Sequence, residues 1–375
     1  MLEPLRASGT RELPRLSLIR QVLQAAVPAA IDLALGEPMH APPEAALEVL
    51  RSAAAADLRY SPNAGIAELR TAVARVQPWD ARAKDGGSSV LITAGSQQAL
   101  AVICLGLLSP GEEVVVPEIG YPSYAELAQF AGGVVRRVAW DRLESGLSAR
   151  TRLVILGSPA NPTGEAFASE RLAVLLERAA LCGAWVVLDE IYAPLLDLPQ
   201  WAESLVGSGG RVLRVGGVSK GYALTGLRVG WLVTAPEIVR RLLPVHQHLV
   251  TCAPSLSQRA ALAALVEGES ALSAARELYR VRRSRAARAL LGIAGLSVRD
   301  PGVGFYLWVD ARARLGRDTA SFALAQARAG AVSVVPGEAF GSAGAGFLRV
   351  SVSGPLDAVD EGIRRLGAAI GDWAL

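Results

Sequence analysis

Short apolar strands that alternate with helical stretches make this chain an α/β protein. Three observations carry that reading. Strand-like runs recur at Ser89 to Thr93, Glu113 to Pro117, Leu153 to Leu156, Arg211 to Val215 and Val229 to Val233. Trp185-Val186-Val187-Leu188-Asp189 is apolar without a polar face, as expected of a strand covered on both sides in a parallel sheet. At 375 residues and 51% hydrophobic, the chain can bury a large core and is long enough for two domains.

Composition narrows the function classes. A net charge of +3, with basic residues scattered, gives no reason to expect nucleic acid as a partner. Cys104, Cys182 and Cys252 are odd in number and far apart, so no disulfide framework or zinc pattern is expected, and a reducing cytoplasm is the simplest home. His40, His246 and His248 offer no metal cluster. After Glu3 and Arg6 no apolar leader follows, so no signal peptide is expected. The most apolar helix, about Gln98 to Leu108, is too short to span a bilayer.

In chain order, residues 15 to 27 predict an amphipathic helix, and Ile31 to Leu35 a short strand closed by Gly36-Glu37-Pro38. Glycine there lets backbone approach a ligand, though an ordinary turn reads equally well. Ala45 to Ala56 predicts a helix, followed by Tyr60-Ser61-Pro62-Asn63-Ala64-Gly65 and a helix bearing Glu68-Leu69-Arg70. The strand Ser89 to Thr93 runs into Ala94-Gly95-Ser96-Gln97 and a helix. That turn exposes N–H groups at a helix N-terminus, a mechanism for cradling phosphate, with Gly95, Ser96 and Gln97 as candidates.

Tyr121-Pro122-Ser123-Tyr124 opens a helix that ends near Gly132-Gly133, and Tyr121 is either a stacking ring or a core tyrosine. Ser158-Pro159-Ala160-Asn161-Pro162-Thr163-Gly164 is a turn after the Leu153 to Leu156 strand. Asp189 closes its strand where α/β folds place ligands, although a helix cap is the other reading.

Only Lys84 and Lys220 are lysine in a chain that otherwise uses arginine. Lys220 sits in Gly216-Gly217-Val218-Ser219-Lys220-Gly221, with Gly226-Leu227-Arg228-Val229-Gly230 behind it. An amine loses its proton when desolvated and forms a Schiff base with an aldehyde; a guanidinium does neither. Downstream, Gln258 to Ala294 predicts a long helical region. Gly302 to Val309 predicts a strand after a glycine turn, and Val332 to Val335 a strand before another turn. Phe347-Leu348-Arg349-Val350-Ser351-Val352 places one arginine in an apolar strand. It calls for an anionic partner, either a ligand or a structural salt bridge.

Ser219-Lys220 followed by Gly226 to Gly230, together with Asn161-Pro162-Thr163-Gly164 and Asp189-Glu190-Ile191-Tyr192, resembles the class I/II aminotransferases. These are enzymes of pyridoxal phosphate (PLP) with fold type I. The resemblance runs from Gly36 to Arg349. It implies a large domain, 40–265, with a mostly parallel seven-stranded sheet sandwiched by helices, and a smaller α+β domain made of 1–39 with 266–375. It implies that Lys220 carries the cofactor as a Schiff base and moves the substrate's proton, that Asp189 holds the ring nitrogen, and that Asn161 and Tyr192 meet the ring's phenolic oxygen. Tyr121 would stack on the ring. Gly95, Ser96, Gln97, Ser219 and Arg228 would surround the phosphate, and Tyr60 would reach the phosphate of a second subunit in a homodimer. Gly36, Asn161 and Arg349 would bind the substrate, and Arg349 its α-carboxylate. Thr251 to Gln258 resembles a segment that crosses the dimer interface.

The implied activity is ping-pong transamination between an L-amino acid and a 2-oxo acid. A PLP lyase or decarboxylase of the same fold, for example a C–S β-lyase, is the alternative, and a non-catalytic PLP-binding regulatory module the remote one. The chain begins close to its first family helix, so a fused DNA-binding domain is not expected. Two positions depart from the family. Gly217 stands where many relatives have serine or threonine, and Gln97 where aspartate-directed bacterial relatives often have lysine.

Overall fold

The structure, a computed structural model, describes residues 16–54, 58–78, 87–196 and 211–373. The predicted helix start at residue 15, and Ala55 and Ala56, lie outside these ranges. The N-terminal part holds α1 (Leu18–Ala25), β1 (Ile31–Asp32), α2 (Glu44–Arg51) and α3 (Ala67–Val76). Next come β2 (Val90–Thr93), α4 (Ser96–Leu107), β3 (Glu113–Pro117), α5 (Pro122–Phe130), β4 (Val134–Val138), β5 (Thr151–Gly157), α6 (Ser169–Cys182) and β6 (Trp185–Asp189). Then follow β7 (Val212–Gly217), β8 (Gly230–Val233), α7 (Pro236–Val250), α8 (Ser255–Glu267) and α9 (Glu269–Leu291). The C-terminal part holds β9 (Ser297–Arg299), β10 (Tyr306–Asp310), α10 (Arg312–Leu315), α11 (Thr319–Arg328), β11 (Val332–Ser333), β12 (Val335–Pro336), β13 (Phe347–Ser351) and α12 (Leu356–Asp372).

Seven strands form the central sheet in the order β2-β8-β7-β6-β5-β3-β4. β8 is antiparallel to both its neighbours and the other pairs are parallel, so β8 alone is reversed. The fold class is the expected α/β one. Strand alternation divides the core between the two faces. Val114, Val116, Leu153, Ile155, Leu213 and Val215 pack with α4 and α5, whereas Val115, Val154, Leu156, Val186 and Leu188 pack with α6. A second sheet, β12-β13-β10-β9, is antiparallel, and β1 pairs in parallel with β11.

Four elements differ from expectation. The strand over 31–35 is shorter than expected: Ile31–Asp32 pairs with Val332–Ser333, and the Leu33 backbone bonds to Ser333 and Ser351 before the chain leaves the sheet. Asp32 then turns the chain, its carboxylate accepting from the N–H groups of Ala34 (2.8 Å) and Leu35 (3.0 Å). The run Val332 to Val335 is shared between two sheets. The glycine turn extends farther than expected, so its strand begins at Tyr306. The helical region after residue 258 is two helices that meet at Gly268, where a Cβ would lie 2.2 Å from the Ala264 carbonyl oxygen, so the junction requires glycine.

In the parallel part of the sheet, the carboxyl ends of β2, β3, β5, β6 and β7 share one edge. The segments leaving that edge begin at Ala94, Glu118, Ser158, Glu190 and Val218. They carry most of the candidate residues, as expected for a ligand crevice in an α/β sheet.

Candidate active site

A cleft of ≈ 620 Å³ opens over this edge. Its lining includes Gly36, Ser96, Gln97, Tyr121, Asn161, Asp189, Tyr192, Ser219, Lys220, Arg228 and Arg349. Eleven predicted residues, from five strand ends and two distant segments, therefore meet in one place. Gly95 lies just behind Ser96. Tyr60 does not join the cleft of its own chain and is 88% exposed.

The floor is set by Asp189, the last residue of β6, which is 4% exposed. Its carboxylate accepts from the Tyr124 hydroxyl at 3.0 Å and from the Ile191 N–H at 3.2 Å. Burial pushes its pKa up to about 6, against the pull of those two hydrogen bonds. Lys220 leaves the edge just past β7, and its Nζ donates to the Gly36 carbonyl. Desolvation holds its pKa below the ordinary lysine value.

At the start of α4 the N–H groups of Ser96 and Gln97 have no acceptor within the helix. Gly95 precedes them at φ +85, and a Cβ on it would lie 2.5 Å from Nη2 of Arg228. Glycine is thus required twice at this position, by backbone conformation and by the approach of the guanidinium. A cation beside a positive helix end is unfavourable unless an anion lies between them. Gly217 is explained by space: a Cβ there would lie 3.0 Å from the Val229 carbonyl oxygen and 3.1 Å from Ile191. A serine or threonine would crowd the β7–β8 hairpin.

Tyr121 caps α5, with its hydroxyl donating to Oε1 of Gln97 at 2.8 Å. The same amide donates to Ser123 Oγ at 3.0 Å, so both ends of the Gln97 side chain are engaged. Opposite stands Arg349 on β13, 2% exposed. It donates to Asn161 Oδ1 (2.9 Å) and to the Ala34 carbonyl (2.7 Å), while its Nε has no partner among the described residues. The guanidinium lies over the Tyr306 ring, 4.1 Å from the centroid. Tyr306 in turn shares a hydrogen bond with Tyr192 (3.0 Å) and fills the space a Cβ on Gly36 would need, 2.0 Å from its hydroxyl.

Several cleft residues were not singled out from sequence. Tyr124 had a usable signal, since three positions after Tyr121 on a helix it turns toward the sheet. Tyr306 could be placed only once β10 and β13 were paired, in the register Trp308 to Arg349. Ser17, Ile19, Arg20 and Leu23 of the N-terminal helix also line the cleft, which no local pattern announces. Thr225 donates to the Glu37 carboxylate across the mouth.

Comparison with known proteins agrees with this geometry. The family model "Aminotransferase class I and II" matches residues 28–366. An aspartate aminotransferase of Streptomyces avermitilis is 32% identical over 333 residues, covering 82% of this chain and 80% of that protein. The aspartate/prephenate aminotransferase of Thermus thermophilus is 32% identical over 365 residues, covering 91% of each. Among solved structures, the Thermus thermophilus aspartate aminotransferase with maleate superposes with TM-score 0.86 at 28% identity, covering 95% of this chain and 97% of that one. The N-succinyldiaminopimelate aminotransferase of Mycobacterium tuberculosis gives 0.87 at 28% identity, covering 94% and 97%. This chain belongs to the aminotransferase class I and II family and is an enzyme of amino-group transfer.

Proposed function

We propose that the cleft binds PLP and exchanges amino groups between an L-amino acid and a 2-oxo acid by ping-pong turnover. The single observation that carries this is the convergence of Lys220, Asp189 and Arg349 on one cleft. The residues fit the cofactor on three counts. Arg228 and the α4 N-terminus meet where a phosphate would satisfy both. Lys220 is a desolvated primary amine, suited to an aldehyde. Asp189 is a buried carboxylate with one hydroxyl and one N–H donor, able to hold a protonated ring nitrogen.

When bound, PLP supplies an electron sink that stabilises negative charge at the substrate Cα. Everything else falls to this chain. Ser96, Gln97, Ser219 and Arg228 hold the phosphate, with Gly95 permitting their approach. Tyr121 covers the ring, and Asn161 with Tyr192 borders its oxygen. Arg349, which lines the cleft, takes the substrate α-carboxylate as a fork. Gly36 gives the carboxylate room. Lys220 Nζ would take the proton from the substrate Cα as general base and give it to the cofactor's C4′ carbon as general acid.

With Gln97 engaged by Tyr121 and Ser123, no cation stands where aspartate-directed relatives have lysine. That favours donors with neutral side chains. The exposure of Tyr60, on a loop fixed through Asn63 to the Thr251 carbonyl (3.0 Å), favours a homodimer in which Tyr60 completes the partner's site. A large domain of 40–265 and a small one of 1–39 with 266–375 agree with the separate sheets. No helix among the described residues is long and apolar enough to cross a membrane. The three free cysteines favour a reducing cytoplasm.

The test is the absorbance of the PLP-loaded protein before and after single amino acids. Loss of the visible band, with a matching oxo acid released, is the expected result. Pyruvate and ammonia from serine-like or cysteine-like substrates, with the band restored, would move the protein to the lyases. A Lys220→Ala variant with an unchanged spectrum would end the proposal.

A further inference from the structure

The segment 36–40 is fastened to the lysine loop and to α9 at four of its five residues. Lys220 Nζ donates to the Gly36 carbonyl, and Thr225 to the Glu37 carboxylate. The Met39 N–H donates to the Tyr279 hydroxyl at 3.2 Å. His40 then closes the set. Its Nδ1 lies 2.9 Å from the Tyr279 hydroxyl and its Nε2 lies 3.0 Å from the carbonyl of Gly221, the residue after Lys220. The two rings meet edge to face at 5.4 Å.

The chemistry of the partners fixes the tautomer. A carbonyl only accepts, so Nε2 carries the proton and donates to Gly221. Burial disfavours the imidazolium, so Nδ1 is bare and accepts from Tyr279. Tyr279 is able to donate, because burial pushes its pKa up to about 12 and keeps it protonated. The result is a one-way chain: Met39 N–H to Tyr279 oxygen, Tyr279 O–H to Nδ1, Nε2–H to the Gly221 carbonyl.

We propose that His40 is a positioning residue for Lys220: its imidazole, locked by Tyr279, fixes the Gly221 carbonyl and with it the backbone from which the amine projects. This rests on the role proposed above for Lys220. Protonation of Nδ1 breaks the chain, since Tyr279 would then receive two donors and its own hydrogen would lose its acceptor. The charged and titratable groups set around His40 are Tyr279 and Arg282, both on α9, and Arg282 adds to the cost of a second cation. In the facing loop Lys220 and Tyr222 flank Gly221, and Glu37 precedes His40 by three positions on its own segment. The fastening therefore holds at neutral pH and fails on the acid side, below the ordinary histidine value of 6.5.

The experiment compares wild type, His40→Gln, His40→Phe and Tyr279→Phe. Glutamine can donate to Gly221 and accept from Tyr279 without titrating; phenylalanine can do neither. Two quantities are read against pH: the thermal midpoint of the cofactor-free protein, and the visible absorbance and kcat of the PLP-loaded enzyme. Because the folded histidine resists protonation and the unfolded one does not, wild-type stability falls as pH drops below 6.5. His40→Gln lacks that share of the fall. In the loaded enzyme, His40→Phe lowers kcat about tenfold and His40→Gln restores it to within about threefold of wild type, with a flatter acid limb. Tyr279→Phe moves kcat and the absorbance pH profile in the same direction as His40→Phe, which covers the case in which His40→Phe fails to fold. If the glutamine variant keeps the wild-type acid profile, or Tyr279→Phe and His40→Phe leave kcat and absorbance unchanged, the proposal is overturned. A wild-type protein that shows no visible band with PLP points instead to failure of the Lys220 reading. The two failures are separable because the cofactor-free midpoint still reports on the His40 chain.

Discussion

Two arginines stand in buried strands, and their surroundings are opposite. Arg214 on β7 is matched within the chain. It grips the Glu190 carboxylate through Nε (2.7 Å) and Nη2 (2.8 Å), with both side chains below a tenth exposed. Gln77 donates to the same carboxylate and accepts from the Trp231 ring N–H. Among the described residues, Arg349 on β13 finds only neutral acceptors, Asn161 and the Ala34 carbonyl, and keeps an unpartnered Nε. A buried guanidinium beside a carboxylate is part of the fold; one without an anion is a candidate for binding one. Glu190 directly follows Asp189, so two adjacent acids are sorted the same way. Glu190 is spent on Arg214, and Asp189 faces the cleft with two neutral donors behind it.

Substitutions should split along this line. Arg214→Met leaves Glu190 buried and unpaired, so folding stability drops by about 3–5 kcal/mol, measured by denaturant titration. Burial already raises the Glu190 pKa above 4.5. Without Arg214 it rises further, so the folded state binds a proton that the unfolded state releases above 4.5. The destabilisation is therefore smallest near that pH and grows toward neutrality. Adding Glu190→Gln recovers most of the loss, and an Arg214→Met protein as stable as wild type would erase the distinction between the two arginines.

Arg349→Gln should do the reverse. The expected drop in kcat/KM is roughly 10²–10³-fold, with stability within about 1 kcal/mol of wild type. Stability lost with activity intact would make Arg349 a structural residue. A smaller effect concerns Asp189. Tyr124→Phe removes the hydroxyl that holds its carboxylate below the value burial alone would set. The acid limb of kcat/KM then moves to higher pH by about one unit; an unmoved limb would detach Tyr124 from the chemistry. Smallest of all, Gln97→Lys should raise kcat/KM for aspartate relative to a neutral donor by about tenfold or less. An unchanged ratio in competition assays would show that Gln97 does not face the donor side chain.

The candidate site was legible where it is local. Asp189 ends a buried strand, and Lys220, Asn161 and the Gly95-Ser96-Gln97 turn each follow one, so strand, turn and helix are written in neighbouring residues. The parallel sheet then carries all of them to one edge, so that reading strand ends amounts to reading the floor of the cleft. The roof was less legible. Arg349 stood out because a charge interrupts an apolar strand, but Tyr306, Glu37 and the α1 residues carry no such mark. Tyr60 was identified, yet its own chain gives it nothing to touch in the cleft.

By itself, the sequence determined the α/β class, six of the seven central strands (β4 was not named), the candidate Schiff-base lysine and the residue types the chemistry needs. These follow from short-range periodicity, turn chemistry and the ionisation of side chains. Only the tertiary structure decided which arginine is matched and which is waiting, that Gln97 is engaged by Tyr121, and that His40 reaches across to Gly221. Those outcomes depend on contacts between residues 24 to 315 positions apart. A burial pattern can say that a polar group lies inside, but only the packed neighbours say what it meets there.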